Sequence, residues 1–373
     1  MAEGSNLPQE LLEDILSRLP YRSLSRFKCV CKLWSSLLTS PLFLPPHLSQ
    51  FIKHHAYNSV ILSLSFSSVT FKLFSLSGTD SSAFDTLFPA MMFQNLAGHC
   101  NGILCLSLGF WHNDDGKIIL YNPATREFKC LPDSAIRTDS TFVFAVALGY
   151  DSRNDDYKVL RMRTMIDYFW NADSVEEYSL STDSWRPISI SNCSDFVFHD
   201  DCFALFFRGT YYWWASSILQ WQDSSKMILG LEMGGEAFHK VLVPREVDIS
   251  KHARRNLAVW KESVSLICCY DYGSKVSRID IWVMDGFGGA LVSWTKMLSI
   301  TSLLKEPRPL VFWKKEKELL LETPVGEIKS CDLDTKEIKN FRIEGYEEPI
   351  RRSVQAVNYV ATLVPIKGGR YLP

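Results

Sequence analysis

The sequence lacks the features that would place the chain in or across a membrane. Its longest apolar run, near Phe142 to Leu148, is far shorter than the roughly 18 residues that a membrane-spanning helix needs. The N-terminal residues MAEGSN do not show the charged and then apolar order of a secretory signal peptide. We therefore expect a soluble intracellular chain, located in the cytoplasm, the nucleus or both.

The chain also lacks an excess of charge of either sign. Its 40 Lys and Arg residues nearly balance its 42 Asp and Glu residues, which leaves a net charge of -2. The basic clusters Arg254-Arg255 and Arg351-Arg352 are short, and clusters of this size are usually solvated. We expect neither a nucleic acid nor a membrane surface as a partner.

Short motifs that identify common enzymes are missing. The sequence has no Gly-x-Ser-x-Gly, no Gly-x-x-x-x-Gly-Lys, no Gly-x-Gly-x-x-Gly and no His-Glu-x-x-His. Paired carboxylates of the kind that a glycosidase needs could come from Asp114-Asp115, Asp155-Asp156 or Asp200-Asp201, but acidic pairs in loops are usually solvated turn residues. We expect a non-catalytic protein without a cofactor.

The ten cysteines show no disulfide rhythm. Pairs such as Cys29 with Cys31 are too close in sequence for a scaffold of bridges, and thiols stay reduced inside cells, so most cysteines should be small buried apolar residues. Cys193, His199 and Cys202 resemble part of a metal site but lack a fourth ligand at zinc spacing. We expect no bound metal.

The first fifty residues contain a helical segment with more apolar surface than it can bury. Asn6 is placed to cap a helix from Pro8 to about Leu19, with Gln9 completing a capping box. A second helix should begin near Ser23 and reach Leu38, and Ser40-Pro41 predicts a third. Three helices in roughly forty residues make too small a core, so the surplus predicts either a partner protein or packing on the downstream domain.

This segment resembles an F-box, the module that docks on a Skp-family adaptor and thereby joins the cullin and RING subunits of a ubiquitin ligase. The resemblance rests on Leu7-Pro8, Leu19-Pro20, Ser23-Leu24, Val30-Cys31-Lys32 with Trp34, and Ser40-Pro41 with Phe43. It implies that the adaptor is bound by Leu7, Pro8, Leu11, Leu12, Ile15, Leu16, Pro20, Leu24, Phe27, Val30, Cys31 and Trp34.

After about residue 57 the pattern changes to strands, and it repeats. Copies of one spacing begin at residues 118, 175, 228 and 328, and a looser copy with a longer turn begins at residue 279. In each copy, a strand and a returning strand flank a turn that carries Thr or Gly, as in Tyr121, Thr125 and Phe128. Two further strand-like runs separate successive copies, for example Leu257 to Tyr270.

Four strands in each repeat of about 50 residues are typical of a β-propeller blade. With an additional copy near residues 68–76, the repeat predicts about six blades. The run 354–363 has no blade of its own, and we expect it to complete the first blade beside residues 60–64. A β-sandwich is the alternative architecture.

The second domain resembles the F-box-associated (kelch-like) region of plant F-box proteins. The residues that carry the resemblance are Cys100–Cys105, Tyr121–Phe128, Gly149-Tyr150-Asp151, Asp156–Val159, Ile281–Asp285 and Ser293–Lys296. Their order is most similar to the S-locus F-box group, some of whose members recognise a pistil ribonuclease in self-incompatibility. Most of these residues should make the fold, because Asn122-Pro123 suits a turn and Trp185 suits a blade core.

Together these patterns predict an all-α F-box at residues 1–48, a linker at 49–58, a propeller at 59–366 and a tail at 367–373. The resemblance implies a substrate receptor of a Skp–cullin–F-box ligase, and a scaffold without ligase output is the alternative. Target contacts should come from loops near 108–117, 165–174, 192–201 and 285–291. Large apolar residues in these loops are the candidate contacts: Phe110, Trp111, Tyr168, Phe169 and Trp170.

Overall fold

The N-terminal part of the chain forms three short helices. A computed structural model shows α1 (Gln9–Ser17), α2 (Tyr21–Phe27) and α3 (Lys32–Leu38). No helix among the described residues is long and apolar enough to cross a membrane. The structure describes residues 8–19, 21–38, 59–65, 71–77, 80–83, 93–108, 117–134, 141–165, 174–189, 196–198, 204–217, 226–233, 235, 238–248, 253–271, 276–286, 292–341 and 354–371.

One detail of the predicted helices is wrong, and another is not tested. Pro8 occupies the cap position of α1, and the predicted cap residue Asn6 lies outside the described residues. The predicted second helix is split, because the amides of Cys29 and Val30 bond three residues back and the chain turns before α3. Val30 is β-branched, and neither it nor its cysteine neighbours favour a helix interior. The predicted third helix at Ser40 lies outside the described residues.

The rest of the described chain is almost entirely β-structure, with one short helix, α4 (Arg245–Asp248). The strands of the first half are β1 (Ser59–Ser65), β2 (Phe71–Ser77), β3 (Asp80–Ala83), β4 (Phe93–Cys100), β5 (Ile103–Leu108), β6 (Ile118–Asn122), β7 (Glu127–Cys130), β8 (Thr141–Asp151), β9 (Asp156–Met165), β10 (Ser174–Ser179), β11 (Ser184–Ile188), β12 (Phe196–Phe198) and β13 (Leu205–Phe207). Those of the second half are β14 (Thr210–Ser217), β15 (Lys226–Glu232), β16 (Phe238–Leu242), β17 (Ala253–Trp260), β18 (Ser263–Asp271), β19 (Ser277–Asp285), β20 (Ser293–Ser302), β21 (Arg308–Trp313), β22 (Glu318–Glu322), β23 (Ile328–Asp332), β24 (Ile338–Phe341), β25 (Val354–Asn358) and β26 (Arg370–Tyr371).

The described strands pair into six antiparallel sheets of four or five strands. Sheet 1 has the order β25-β1-β2-β3, and sheet 2 has the order β26-β7-β6-β5-β4. Sheet 3 contains β8 to β11, and sheet 4 contains β14 to β16 with β12 and β13 both paired to β14. Sheet 5 contains β17 to β20, and sheet 6 contains β21 to β24. Consecutive sheets therefore follow consecutive segments of the chain, as a propeller requires.

The first strands of the sheets meet one another in a ring. β4 contacts β8, β8 contacts β14, β13 contacts β17, β17 contacts β21, β21 contacts β25, and β25 contacts β4. Side-chain amides tie neighbouring sheets together: Asn256 of β17 donates to the carbonyl of Leu310 in β21, and Asn358 of β25 donates to that of Phe312 at 2.7 Å. The domain is thus a closed β-propeller, and the alternative of a β-sandwich is wrong.

The C-terminal region closes this ring, as the sequence predicted. β25 pairs antiparallel with β1 from Val60 opposite Asn358 to Leu64 opposite Val354. Sheet 1 therefore contains strands from both ends of the β-domain, and an edge of β1 that would be exposed is covered. The chain then adds β26 to the outer edge of sheet 2, where Tyr371 lies opposite Glu127.

The predicted hairpin repeats are the third and fourth strands of their sheets, counted outward from the strand in the ring. Tyr121 lies opposite Phe128, Tyr178 opposite Trp185, and Cys331 opposite Ile338. The rings of Tyr178 and Trp185 are 5.3 Å apart between centroids, so the pair packs on one face of its hairpin. The looser copy at residue 279 contains an irregular register between Ile281 and Trp282.

Apolar side chains fill the space between neighbouring sheets. One cluster between sheets 3 and 4 contains Leu160, Met162, Trp213 and Leu229. Five of the described cysteines are buried: Cys100, Cys105, Cys268, Cys269 and Cys331. Burial raises the pKa of the Cys268 thiol to about 12, which agrees with the expectation of inert buried thiols.

The ends of the sheets define two faces of the propeller. We call the end with the hairpin turns of the type Asn101-Gly102 and Arg208-Gly209 the turn face, and the other end the opposite face. β25 ends and β1 begins at the turn face, because Asn358 pairs with Val60 and the nearby Thr362 hydroxyl donates to the Asn101 carbonyl. The helices therefore join the propeller at its turn face.

Gly102 provides a test of how tightly this face is packed. Its φ of +82° favours glycine, and an added Cβ would lie 2.8 Å from the Val360 carbonyl oxygen. Gly209 is a matched control, because its φ is +81° and an added Cβ there meets nothing within 4 Å. We expect Gly102→Ala to lower the free energy of unfolding by about 1–3 kcal/mol more than Gly209→Ala, measured by denaturant titration. Equal losses of stability in the two variants would show that the close approach to Val360 does not affect the free energy of unfolding.

Candidate functional site

Part of the predicted adaptor-binding set forms the core between the helices. Leu16 and Leu24 are 1% and 0% exposed and pack with Leu37 and Leu38. Leu12 and Phe27 are half-buried against the same cluster. The structure therefore places Leu16 and Leu24 inside this chain, behind the surface that a partner could reach. The sequence pattern could not separate the two groups, because the apolar face of α1 is wide.

A second group faces outward. Leu11 and Ile15, one turn apart on α1, are 52% and 47% exposed, and Val30 in the α2–α3 turn is 64% exposed. Pro8 and Cys31 are also exposed. Apolar side chains with this much exposure on neighbouring helices indicate a protein interface. Leu7 and Pro20 lie outside the described residues.

Two aromatic residues support this outward-facing group. The rings of Phe27 and Trp34 are 5.0 Å apart between centroids and nearly perpendicular, at 71°, which links the end of α2 to α3. Trp34 is half-buried, so part of the indole remains accessible.

Leu33 belongs to the same exposed group, although the sequence pattern did not indicate it. It is 67% exposed in the first turn of α3. A single helix from Ser23 to Leu38 would place Leu33 on the wrong side of the helix. The chain instead interrupts the helix between Phe27 and Lys32, which changes the direction in which Leu33 faces. The low helix propensity of the Cys29-Val30-Cys31 run was the signal that could have revealed the break.

Charge is unevenly distributed around the exposed group. α1 presents Glu10 and Asp14, and the carboxylate of Asp14 pairs with Arg18 at 2.8 Å. α2 and α3 present Arg26 and Lys32, which are both exposed. A partner surface that covers the apolar side chains would therefore meet acidic groups on one side and basic groups on the other.

The five residues predicted to contact a target lie outside the described residues. The strand ends that bracket them are described: β5 ends at Leu108 before Phe110 and Trp111, and β9 ends at Met165 before Tyr168, Phe169 and Trp170. Both ends lie on the opposite face, away from the helices. The predicted segment at 285–291 instead follows the end of β19 on the turn face.

Several large apolar side chains near strand ends on the opposite face are described and exposed, and three of them belong to sheets 5 and 6. Val276 and Leu303 continue the register of Ser277 and Ser302 at the ends of β19 and β20, and they are 37% and 82% exposed. Val325, in the turn between β22 and β23, is 61% exposed. This face therefore presents apolar surface from sheets 5 and 6.

The described acidic pair Asp155-Asp156 builds a turn. Asp156 is 4% exposed and accepts hydrogen bonds from the Ser179 hydroxyl at 2.6 Å and the Ser181 amide at 2.8 Å. Asp155 has a left-handed φ of +50° and accepts a hydrogen bond from the Tyr150 hydroxyl. The other two pairs lie outside the described residues, as do Cys193, His199 and Cys202. In the part of the chain that is described, no group of side chains could hold a metal ion.

Comparison with known proteins agrees with this two-part architecture. The profile of the F-box domain matches residues 5–45, and that of the F-box associated beta propeller domain matches residues 51–366. An F-box/kelch-repeat protein of Arabidopsis thaliana is 29% identical over 83% of this chain and 84% of its own length. The F-box protein CPR1 of the same plant is 27% identical over 91% and 85%. The chain belongs to the family of F-box proteins that carry an F-box-associated β-propeller.

Proposed function

We propose that the chain is the substrate-recognition subunit of a Skp–cullin–F-box ubiquitin ligase. The observation that carries the proposal is an F-box that keeps Leu11, Ile15, Val30 and Leu33 exposed while Leu16, Leu24, Leu37 and Leu38 are buried. Monomeric domains rarely leave such a group uncovered without a partner. The partner is a Skp-family adaptor, through which the cullin and RING subunits are recruited.

We assign two roles within the predicted adaptor-binding set. Leu7, Pro8, Leu11, Ile15, Pro20, Val30, Cys31 and Trp34 contact the adaptor, together with Leu33. Leu12, Leu16, Leu24 and Phe27 support that surface from behind, because they pack in the helical core. Truncating a hot-spot residue at such an interface typically weakens the binding free energy by at least about 2 kcal/mol.

Leu33 tests whether the surface extends to α3. We expect Leu33→Glu to weaken binding to a purified Skp-family adaptor by at least about tenfold, because a carboxylate would be desolvated in an apolar contact. Titration calorimetry measures the change. Leu242→Glu is the matched control, since Leu242 is 69% exposed and lies in the propeller. An unchanged affinity for Leu33→Glu would limit the surface to α1 and the α2–α3 turn.

We further propose that each of the six sheets is one blade and that the target binds the opposite face. Phe110, Trp111, Tyr168, Phe169 and Trp170 are the proposed contacts. Two observations support this choice of face. The strand ends on either side of these residues lie there, and so do the exposed side chains of Val276, Leu303 and Val325. The target is a protein that is ubiquitinated and then degraded, and a self-incompatibility ribonuclease is one candidate.

The chain positions the target relative to the adaptor and supplies no reactive group. A target held on the propeller and an adaptor held on the F-box bring the target lysine near the ubiquitin-loaded enzyme, and tethering raises their effective concentration. The geometry of the two surfaces therefore determines the function.

Affinity capture tests the proposal. A variant with Leu11→Asp and Ile15→Asp should retain its targets without passing them to the ligase, so captured targets should accumulate relative to the wild type. Adding Leu303→Glu and Val325→Glu to that variant should reduce the captured set if the opposite face binds targets. Recovery of the same proteins by all variants would contradict the assignment of the face.

The alternative function is a scaffold that is bound to the Skp-family adaptor without ligase output. Recovery of neddylated cullin with the wild-type chain, and a longer half-life of captured proteins after its deletion, would favour the ligase. Adaptor binding without either result would favour the scaffold.

A further inference from the structure

The residues that follow the ring-closing strand run across the turn face and contact the F-box. We call residues 359–371 the strap. Its attachment to sheet 2 is extensive: the Asn122 amide donates to the carbonyl oxygens of Thr362 at 3.2 Å and Val364 at 2.8 Å, and the Thr362 hydroxyl donates to the Asn101 carbonyl at 2.7 Å. Asn122 is fully buried, so these bonds are shielded from water.

The far part of the strap is fixed to the edge of sheet 2. The Ile366 amide donates to the Glu127 carboxylate at 3.0 Å, and the Lys129 amine donates to the Lys367 carbonyl at 3.0 Å. β26 then pairs with β7. The strap is thus held to the propeller on both sides of Leu363.

Leu363 points away from these attachments into the F-box. It is 3% exposed and belongs to the cluster of Leu16, Leu24, Leu37 and Leu38. The rest of that cluster comes from α1, α2 and α3, so one propeller residue completes the apolar core of the helices. Three helices of seven to nine residues form too small a core to be rigid alone.

Electrostatic interactions act across the same junction. Lys28, just after α2, is near Glu127 of β7: burial lowers the pKa of Lys28, and the Glu127 carboxylate partly offsets this effect. Tyr21 at the start of α2 is near Tyr359, the first strap residue, whose pKa is raised well above its usual value chiefly by burial. Both ends of α2 therefore interact electrostatically with the strap or with β7, which the strap borders.

We propose that the strap is the joint that fixes the F-box on the turn face, and that Leu363 is its positioning residue. The inference deepens the proposed function, on which its consequence for a ligase rests: the adaptor-docking surface would hold one orientation relative to the target face. The strap then supplies orientation, in addition to the covalent connection between α3 and β1.

Hydrogen exchange of the full-length chain tests the packing. We expect Leu363→Ser to accelerate amide exchange in α2 and α3 by at least about tenfold, because removing a buried leucine opens the helical core. Asn122→Ala should produce the same change from the propeller side, and Leu363→Met should remain close to wild type. Leu242→Ser is the surface control. Exchange in sheets 5 and 6 should be unchanged in every variant, which excludes global unfolding.

A distance measurement tests the orientation. Spin labels on the exposed Cys31 and Cys130, with Cys29, Cys193 and Cys202 replaced by serine, report the separation of the F-box and sheet 2. We expect one narrow distance distribution for the parent chain and for Leu363→Met, and a broad one for Leu363→Ser. A narrow distribution in all three would overturn the proposal.

Adaptor binding, measured by calorimetry on the chains without spin labels because Cys31 belongs to the proposed docking surface, distinguishes failure of the two proposals. A parent chain that shows the narrow distribution but does not bind a Skp-family adaptor would refute the proposed function and leave the strap proposal intact. A parent chain that binds the adaptor but keeps a narrow distribution in Leu363→Ser would refute only the strap.

Discussion

A chain that ends at Ser353 is expected to lose cooperative folding. This truncation removes β25, the strap and β26, and with them the buried side chains of Val354, Leu363, Val364 and Ile366. Burial of each such side chain contributes about 1.5–3 kcal/mol, so the four together account for roughly 6–12 kcal/mol. A native domain is stable by only about 5–15 kcal/mol, and the loss is therefore comparable to the whole.

Circular dichroism during thermal unfolding measures this effect. The truncated chain should show no sharp transition, whereas a chain that ends at Tyr371 should unfold like the full chain. A chain that ends at Ile366 keeps β25 and Leu363 but loses the pairing of β26 and the hydrogen bonds of Lys367 to Lys129 and Ser181, so it should fold with a modestly lower midpoint. A sharp transition within a few degrees of the full-length value for the shortest chain would mean that β25 does not close the ring.

Binding to a Skp-family adaptor should be lost when Leu11 and Ile15 are both replaced by aspartate. Each substitution places a carboxylate in an apolar contact, and two hot-spot losses of about 2 kcal/mol each correspond to about a 1000-fold weaker affinity. Both residues are about half exposed, so the helices should remain folded. Leu16→Asp would not test docking, because Leu16 is buried and the charge would disrupt the helical core.

Calorimetric titration with the purified adaptor gives the affinity, and hydrogen exchange in α2 confirms that the F-box is intact. Leu242→Asp, on the propeller, should bind like the wild type. Retention of the adaptor within tenfold of wild-type affinity by the double variant, with α2 still protected, would rule out α1 as the docking surface.

Local patterns predicted the propeller well. The repeated hairpins were visible because each places paired residues such as Tyr178 and Trp185 at a fixed spacing. The ring closure by residues 354–358 was also predictable, since this strand pattern had no neighbouring partner in sequence and the first sheet lacked a strand.

Which apolar residues of the F-box are exposed and which are buried could not be predicted in this way. Leu11 and Leu16 both lie on the apolar side of α1, and only the packing of α2 and α3 separates an exposed leucine from a buried one. Leu363 belongs to the same core from more than 300 positions away, with no pattern that links it to the helices. Sequence periodicity reports which side chains are apolar, whereas the contact that buries each one is set by the tertiary fold.

The pairing of β25 with β1 also has a consequence for synthesis. The first three strands of sheet 1 leave the ribosome early, and their partner emerges only when residues 354–358 have been made. At about 5–20 residues per second, the edge of β1 stays uncovered for some tens of seconds on the nascent chain. An exposed edge of this kind can pair with strands of other chains, so we expect newly made chains to depend on chaperones until β25 has emerged and paired with β1.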